Sequence, residues 1–276
     1  LHKAQIAWIF FMFMAALALR SAPAAIEAMG SSHSYGSVFC NAARVPGQPP
    51  LLAIVIDDLT TGAPGLDDLL ALGRPLTFAV FPDRPDAGAL ARRVSALGHE
   101  VILHLPMDAG QVNPDWYAGR PISARQTDEE IQRLVTEWLA AVPEARGMNN
   151  HMGTVATQDE RVVRAVLEVA KRHGKYVLDS MTTENTVVPR TAVAMGVPCM
   201  QRSLFLDHEA GKEAAIAQLR KLADWAEEHG AAIGIGHVGI GREGTAAALR
   251  EVLPELEERG IRLVTLSELL ALQQEE

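Results

Sequence analysis

The sequence predicts an α/β fold, a closed or nearly closed (β/α) barrel of seven or eight parallel strands, on three observations. Leu51–Leu59 reads Leu-Leu-Ala-Ile-Val-Ile-Asp-Asp-Leu, an apolar run without polar alternation, as expected of a strand buried on both faces. From Leu51 onward, short apolar runs of this kind alternate with amphipathic helical stretches, which calls for a parallel sheet. The glycines form neither a phosphate loop nor a dinucleotide fingerprint, so at this length an open nucleotide-binding sheet is the weaker alternative.

The 276 residues are 48% hydrophobic and 21% charged, enough for one sizeable globular core. A formal net charge of -9 without a basic run argues against nucleic acid as a partner. Residues 1–28 differ from the rest: His2 and Lys3 precede the apolar stretch Ile6–Leu19, and small residues follow at Ser21–Ala25. This is the composition of a secretory signal peptide or, alternatively, an uncleaved N-terminal anchor, and either implies an extracytoplasmic protein. Residues 29–50, rich in Ser, Gly and Pro, read as a flexible tether, leaving 51–276 as the domain. With Cys40 in the tether and Cys199 in the domain, no structural disulfide is expected.

After the first strand, Gly65–Leu72 suits a short helix, and Leu76–Phe81 a strand ended by Pro82. Asp86–Leu97 has helical apolar spacing and stops at Gly98, a residue suited to a left-handed cap. Glu100–Leu105 is the next strand, and Gln111–Gln126 is irregular and long enough to suggest function. Thr127 and three acidic residues open a helix to about Ala141. Strands follow at Ala145–Asn150, Lys175–Asp179, near Met200–Leu206, at Ala231–Gly236 and at Ile261–Thr265. Helices fall at Gln158–His173, Pro189–Met195, Lys212–His229 and Thr245–Arg259.

The residues that end these strands carry the chemistry: Asp57 and Asp58, His104, Asn149-Asn150-His151, Asp179 and His237. In a parallel barrel all strand C-termini open on one face, so residues scattered along the chain converge in one cleft. If the first strand is still extended at Asp57 and Asp58, their side chains leave opposite faces, one toward a bound ion and the other toward the reacting atom. Each residue alone has a plainer explanation, a helix cap for an aspartate or a hydrogen-bonded core position for His104. Their joint placement favours a site, and two histidines with a carboxylate around an open position suit catalytic zinc. His173 and His229, each before a glycine at a helix end, are structural.

Ile56-Asp57-Asp58, the run from Gly98 to Met107 containing His104, Asn149 to Gly153, Leu178-Asp179-Ser180 and Ile235-Gly236-His237 together resemble the divergent polysaccharide deacetylases. These are an offshoot of the metal-dependent polysaccharide deacetylase superfamily, and the resemblance runs from about Leu51 to Leu270. It implies a distorted (β/α) barrel of the glycoside hydrolase and deacetylase type. It also implies removal of N-acetyl groups from a polysaccharide or peptidoglycan-type glycan with zinc or another divalent ion. On this resemblance Asp57 is the catalytic base, Asp58 a metal ligand, His104 a second ligand and His237 the general acid. The typical enzymes place another metal histidine four residues after the first, where this chain has Asp108. His151, at the position of their arginine-proline motif, is then the replacement ligand. Asp179, Asn150 and Asp108 remain as substrate-binding or orienting candidates, with Asp108 the next residue to test as a ligand.

Two other functions fit the same residues: a catalytically inactive glycan-binding barrel of the cell envelope, and a glycoside hydrolase using the strand-end carboxylates. Metal content and acetate release separate them, since only a deacetylase shows both.

Overall fold

The first predicted strand sits at the centre of the sheet. In the computed structural model, which describes residues 44–274 except Ala118, β1 spans Leu51–Leu59. The signal or anchor expected at 1–28, most of the tether and Cys40 lie outside the described residues. Among those described, no helix is long and apolar enough to cross a membrane. The other strands are β2 (Thr77–Val80), β3 (Glu100–Met107), β4 (Gly147–Met152), β5 (Tyr176–Asp179), β6 (Cys199–Gln201), β7 (Leu204–Phe205), β8 (Ala231–His237) and β9 (Arg262–Val264). All pairings are parallel, in the order β6-β5-β4-β3-β2-β1-β8-β7, with β9 paired to β1.

A strand has only two edges. Because β8 pairs with β1 along Leu51–Asp57, β9 (against Leu51–Ala53) and β2 (against Val55–Leu59) must share the other edge. The terminal strands β6 and β7 are separated in the chain by Arg202 and Ser203 alone, so the sheet must curl until its ends approach. Arg202 N donates to Asp179 O beside β6, whereas Ser203 N donates to Ile233 O on β8. The single strand expected near Met200–Leu206 is therefore two short ones, divided where the chain changes edges. The result is a curled, distorted barrel.

Helices cover the outside: α1 (Leu66–Leu70), α2 (Ala87–Ala96), α3 (Asp128–Ala141), α4 (Glu160–Arg172), α5 (Val188–Met195), α6 (Lys212–His229) and α7 (Glu243–Glu258). Thr127 and Glu130 cap α3 reciprocally, as the sequence indicates. The final helix, α8 (Leu266–Gln274), is not among the elements expected from sequence; Leu266 and Leu269 are buried.

Alternation along the strands creates two cores. Leu52, Ile54 and Ile56 pack outward in one, against the helices, with Val101, Leu103 and Leu105. Leu51, Ala53, Val55, Ile102, Leu178, Ile233 and Ile235 fill the barrel interior in the other. Gly147 lies on that inner face, where a Cβ would come within 2.4 Å of the Tyr176 ring, which accounts for a glycine at this position. At the N-terminal end of the barrel, the buried Glu100 carboxylate accepts from Thr77 Oγ1 (2.9 Å), Tyr176 OH (3.0 Å), Ser267 N (3.2 Å) and Ser267 Oγ. This ties α8 beneath the sheet.

Residues 44–50 correct the expected tether boundary. Val45 is buried, Arg44 donates to Glu227 O at 3.0 Å, and Arg262 N donates to Pro50 O at 2.9 Å. The domain thus begins at or before Arg44, because a single buried valine and these hydrogen bonds hold a stretch whose composition alone suggests a linker.

Removing the Glu100 carboxylate would strand the donors of Tyr176, Thr77 and Ser267. Glu100→Ala is expected to lower the unfolding free energy by about 3 kcal/mol in urea titration, against less than about 0.5 kcal/mol for the exposed Leu97→Ala.

Candidate active site

The inner face of the barrel turns polar at its C-terminal end. Continuing the inward positions gives Asp57 on β1, His104 on β3, Asn149 and His151 on β4, Ser180 after β5, and His237 on β8. Register sets their neighbours: His104 lies beside Asn149 and Asp57 beside His237. Asp57, His104, Asn149 and Ser180 are buried.

Asp58 would point outward if β1 remained extended, but it does not. Between Ile56 and Leu59 the strand carries one residue more than β2 opposite, and Asp58 has φ 62°. Such a bulge re-aims the side chain, and the expected opposite-face arrangement of the two aspartates gives way to two carboxylates serving one chamber. Asp58 Oδ1 lies 3.2 Å from His104 Nε2 and 3.1 Å from His151 Nδ1, and the two nitrogens are 3.1 Å apart. Phe81 packs against both rings, at centroid distances of 5.0 and 4.8 Å.

The outer hydrogen bonds fix the tautomers. His104 Nδ1 donates to Asn149 Oδ1 at 2.7 Å, and His151 Nε2 donates to the Trp116 carbonyl at 2.8 Å. Each acceptor lacks a proton, so in the neutral ring the nitrogen facing Asp58 presents a lone pair. Asp58 Oδ1 is itself buried without a hydrogen-bond donor. Three lone-pair donors thus crowd one point. Ligands at 2.0–2.1 Å in a tetrahedron stand roughly 3.3–3.4 Å apart, close to the triangle observed. The donor set fits a divalent cation.

Asn149 has a second bond that joins this triangle to Asp57: its Nδ2 donates to Asp57 Oδ1 at 2.8 Å. Burial raises the Asp57 carboxyl above its ordinary range, against the opposing charges of His104 and His237. Burial also acts to raise Asp58, but the two imidazoles facing it override this and hold it well below the usual carboxylate range. For His104, burial opposes the charged form, yet Asp57 and Asp58 raise it above the ordinary imidazole value.

His237 Nδ1 donates to Asp207 Oδ1 at 2.8 Å, while His237 N and Thr245 Oγ1 hold Asp207 Oδ2 at 2.7 and 2.8 Å. Burial disfavours the imidazolium, but the Asp207 carboxylate outweighs it and pushes His237 up to about 9. Asp207 was not among the residues singled out from sequence. It directly follows Leu206, the end of an expected strand, so the same rule that selected Asp57 and Asp179 would have found it. The Trp116 carbonyl carries no such signal, since every residue has one.

The remaining candidates hold turns. Asn150 donates to Met152 O at 2.7 Å and accepts from Ser180 N at 2.8 Å. Asp179 accepts from Met181 N at 2.9 Å, and Asp108 accepts from Gly110 N at 2.8 Å and Tyr117 OH at 3.2 Å. None of the three belongs to the cluster formed by Asp58, His104 and His151.

Residues 54–270 match the sequence model of a family described as divergent polysaccharide deacetylase. The uncharacterized protein YibQ of Escherichia coli (strain K12) is 34% identical over 186 residues, 67% of this chain and 58% of that one. This chain thus spans less than two thirds of that relative's length. Among solved structures, the uncharacterized protein ATU2773 from Agrobacterium tumefaciens C58 superposes with a TM-score of 0.71 at 20% identity, covering 83% of this chain and 93% of the other. The Bc1960 peptidoglycan N-acetylglucosamine deacetylase gives 0.51 at 15% identity, covering 83% and 92%. At these identities the two structures establish the fold.

A cation at the triangle must displace any proton on His104, whose pKa is raised. Zinc affinity, measured by chelator competition between about pH 6 and pH 9, is therefore expected to weaken as pH falls. The slope should approach tenfold per unit below the His104 pKa, setting in at a higher pH than a free imidazole would give. A flat profile would contradict the assignment.

Proposed function

The chain belongs to the divergent polysaccharide deacetylase family, and from that premise we propose that it hydrolyses N-acetyl amides on an extracytoplasmic polysaccharide or peptidoglycan-type glycan in a metal-dependent reaction. The observation that carries this reading is the triangle of Asp58, His104 and His151 with an oriented carboxylate, Asp57, and an aspartate-backed histidine, His237, in the same chamber. The signal- or anchor-like composition of residues 1–28 supports the location.

A divalent ion held by Asp58, His104 and His151 would supply Lewis acidity toward an acyl oxygen and a lowered pKa for water at the site. Asp57, ionised and fixed by Asn149 Nδ2, accepts the proton of the attacking water. His237 enters the cycle protonated, because Asp207 stabilises the imidazolium. With Nδ1–H committed to Asp207, its Nε2–H is the proton available to the leaving nitrogen. The amide C–N bond breaks as the amine is protonated, leaving acetate and a free amino sugar.

Acetate release from N-acetylated oligosaccharides is expected to be bell-shaped in pH. It rises as Asp57 ionises, above the usual carboxylate range, and falls as His237 loses its proton near pH 9. Asp57→Asn, which keeps an oxygen for Asn149, should retain zinc and lose on the order of a hundredfold or more in kcat. Asp58→Asn should lose the ion, and His237→Ala the alkaline limb. Zinc-loaded wild type that binds oligosaccharide but releases no acetate would replace this reading with that of a glycan-binding barrel, and new reducing ends would point to a glycosidase.

A further inference from the structure

The proton that fixes His151 is held by a loop, not by the barrel. Its acceptor is the carbonyl of Trp116, in a short 3-10 turn (Pro114–Tyr117) within the long connection from β3 to α3. A connection of that length does not hold a carbonyl in place unless it is anchored. Trp116 C=O belongs to the peptide unit it shares with Tyr117, and that unit is planar, so fixing Tyr117 fixes the carbonyl.

Tyr117 is buried, and its hydroxyl donates to Asp108 Oδ1 at 3.2 Å while accepting from Ala109 N at 2.9 Å. Asp108 is itself tied on several sides. Its Oδ1 accepts from Gly110 N at 2.8 Å, and its N donates to Ile122 O at 2.9 Å, where the loop returns to β3. Its carbonyl accepts from Val155 N (3.0 Å) and Ala156 N (2.9 Å), in the segment that follows His151 along the chain. One residue thus joins the end of β3, the loop and the chain beyond β4.

We propose that Asp108 and Tyr117 are positioning residues that set the His151 imidazole by holding the Trp116 carbonyl on its Nε2 proton. The inference rests on Asp58, His104 and His151 being the metal-binding set. Asp108, four residues after His104, acts on that set from outside it. The partners that orient a ligating histidine change metal affinity by about ten- to a hundredfold when removed.

The test is the affinity of the full chain for Zn2+, by competition with a chromogenic chelator, alongside the visible spectrum of the Co2+ form. Tyr117→Phe and Asp108→Ala should weaken zinc about tenfold or more and alter the cobalt spectrum. Asp108→Asn, which retains an oxygen for Gly110 N and Tyr117 OH, should stay within about threefold of wild type. Melting of the metal-free proteins separates this from a general loss of stability, which would move the midpoint without moving the affinity. Wild type that binds zinc while Tyr117→Phe and Asp108→Ala bind it equally well would overturn the inference and leave the functional reading standing. Equal loss in Asp108→Asn and Asp108→Ala would also overturn it, by making Asp108 a ligand. Wild type that binds neither Zn2+ nor Co2+ would overturn both.

Discussion

The whole mouth of the barrel depends on strand alternation staying in phase across neighbouring parallel strands. Leu51, Ala53 and Val55 face inward and bring Asp57 inward after them; Ile102 does the same for His104, and Ile233 and Ile235 for His237. A one-residue slip of β3 would turn His104 out among the helices and Leu105 in. Hydrophobic burial therefore enforces the register of the polar layer as well as the stability of the domain. Asn149 shows the benefit: lying beside His104 in the ladder, it accepts from that ring and donates to Asp57, so one amide aligns a nitrogen lone pair and a carboxylate together.

The phase is broken at one point, and there the break serves the site. Asp58 adopts a left-handed backbone conformation that is unfavourable for a residue with a Cβ, at a cost of about 1–3 kcal/mol. The non-glycine residues with positive φ among those described are Asp58, Met152 and Met181, at or just past the C-terminal ends of β1, β4 and β5. Backbone strain is thus concentrated at the mouth, while the apolar interior below it is regular. The same mouth gathers Asp58, His104 and His151 around one point, where three lone pairs meet once both imidazoles are neutral, an arrangement that a bound cation satisfies.

Much of this was legible in the sequence because two simple signals coincide: apolar runs that end in polar residues, and helices with clear caps. Leu51–Leu59 and Lys212–His229 have the boundaries read from the sequence, and the capping box at Thr127 marks its helix start. Three features were hidden for identifiable reasons. The bulge at Asp58 leaves no compositional trace, since no glycine marks it. The division of β6 from β7 depends on which edge each half finds, a long-range property. The helix at Leu266–Gln274 is held by Glu100, far away in the chain, and its period alone does not distinguish it from the preceding strand. The tether reading failed at Arg44–Pro50 because Gly and Pro composition describes a chain's freedom, and here tertiary contacts remove it. Asp207 was visible by the strand-end rule, whereas the Trp116 carbonyl was not visible at all.

The layer at the opposite end of the barrel shapes how any ligand can approach. Thr77, Glu100, Tyr176 and Ser267 lock together there under α8, and above them the bore is filled by buried aliphatic side chains. Among the described residues the curled sheet is therefore stoppered at its N-terminal end, and the polar layer lies at the other. On the proposed reading, a polymer would not thread through that stoppered end, and a group hanging from it would meet the polar layer from the C-terminal side.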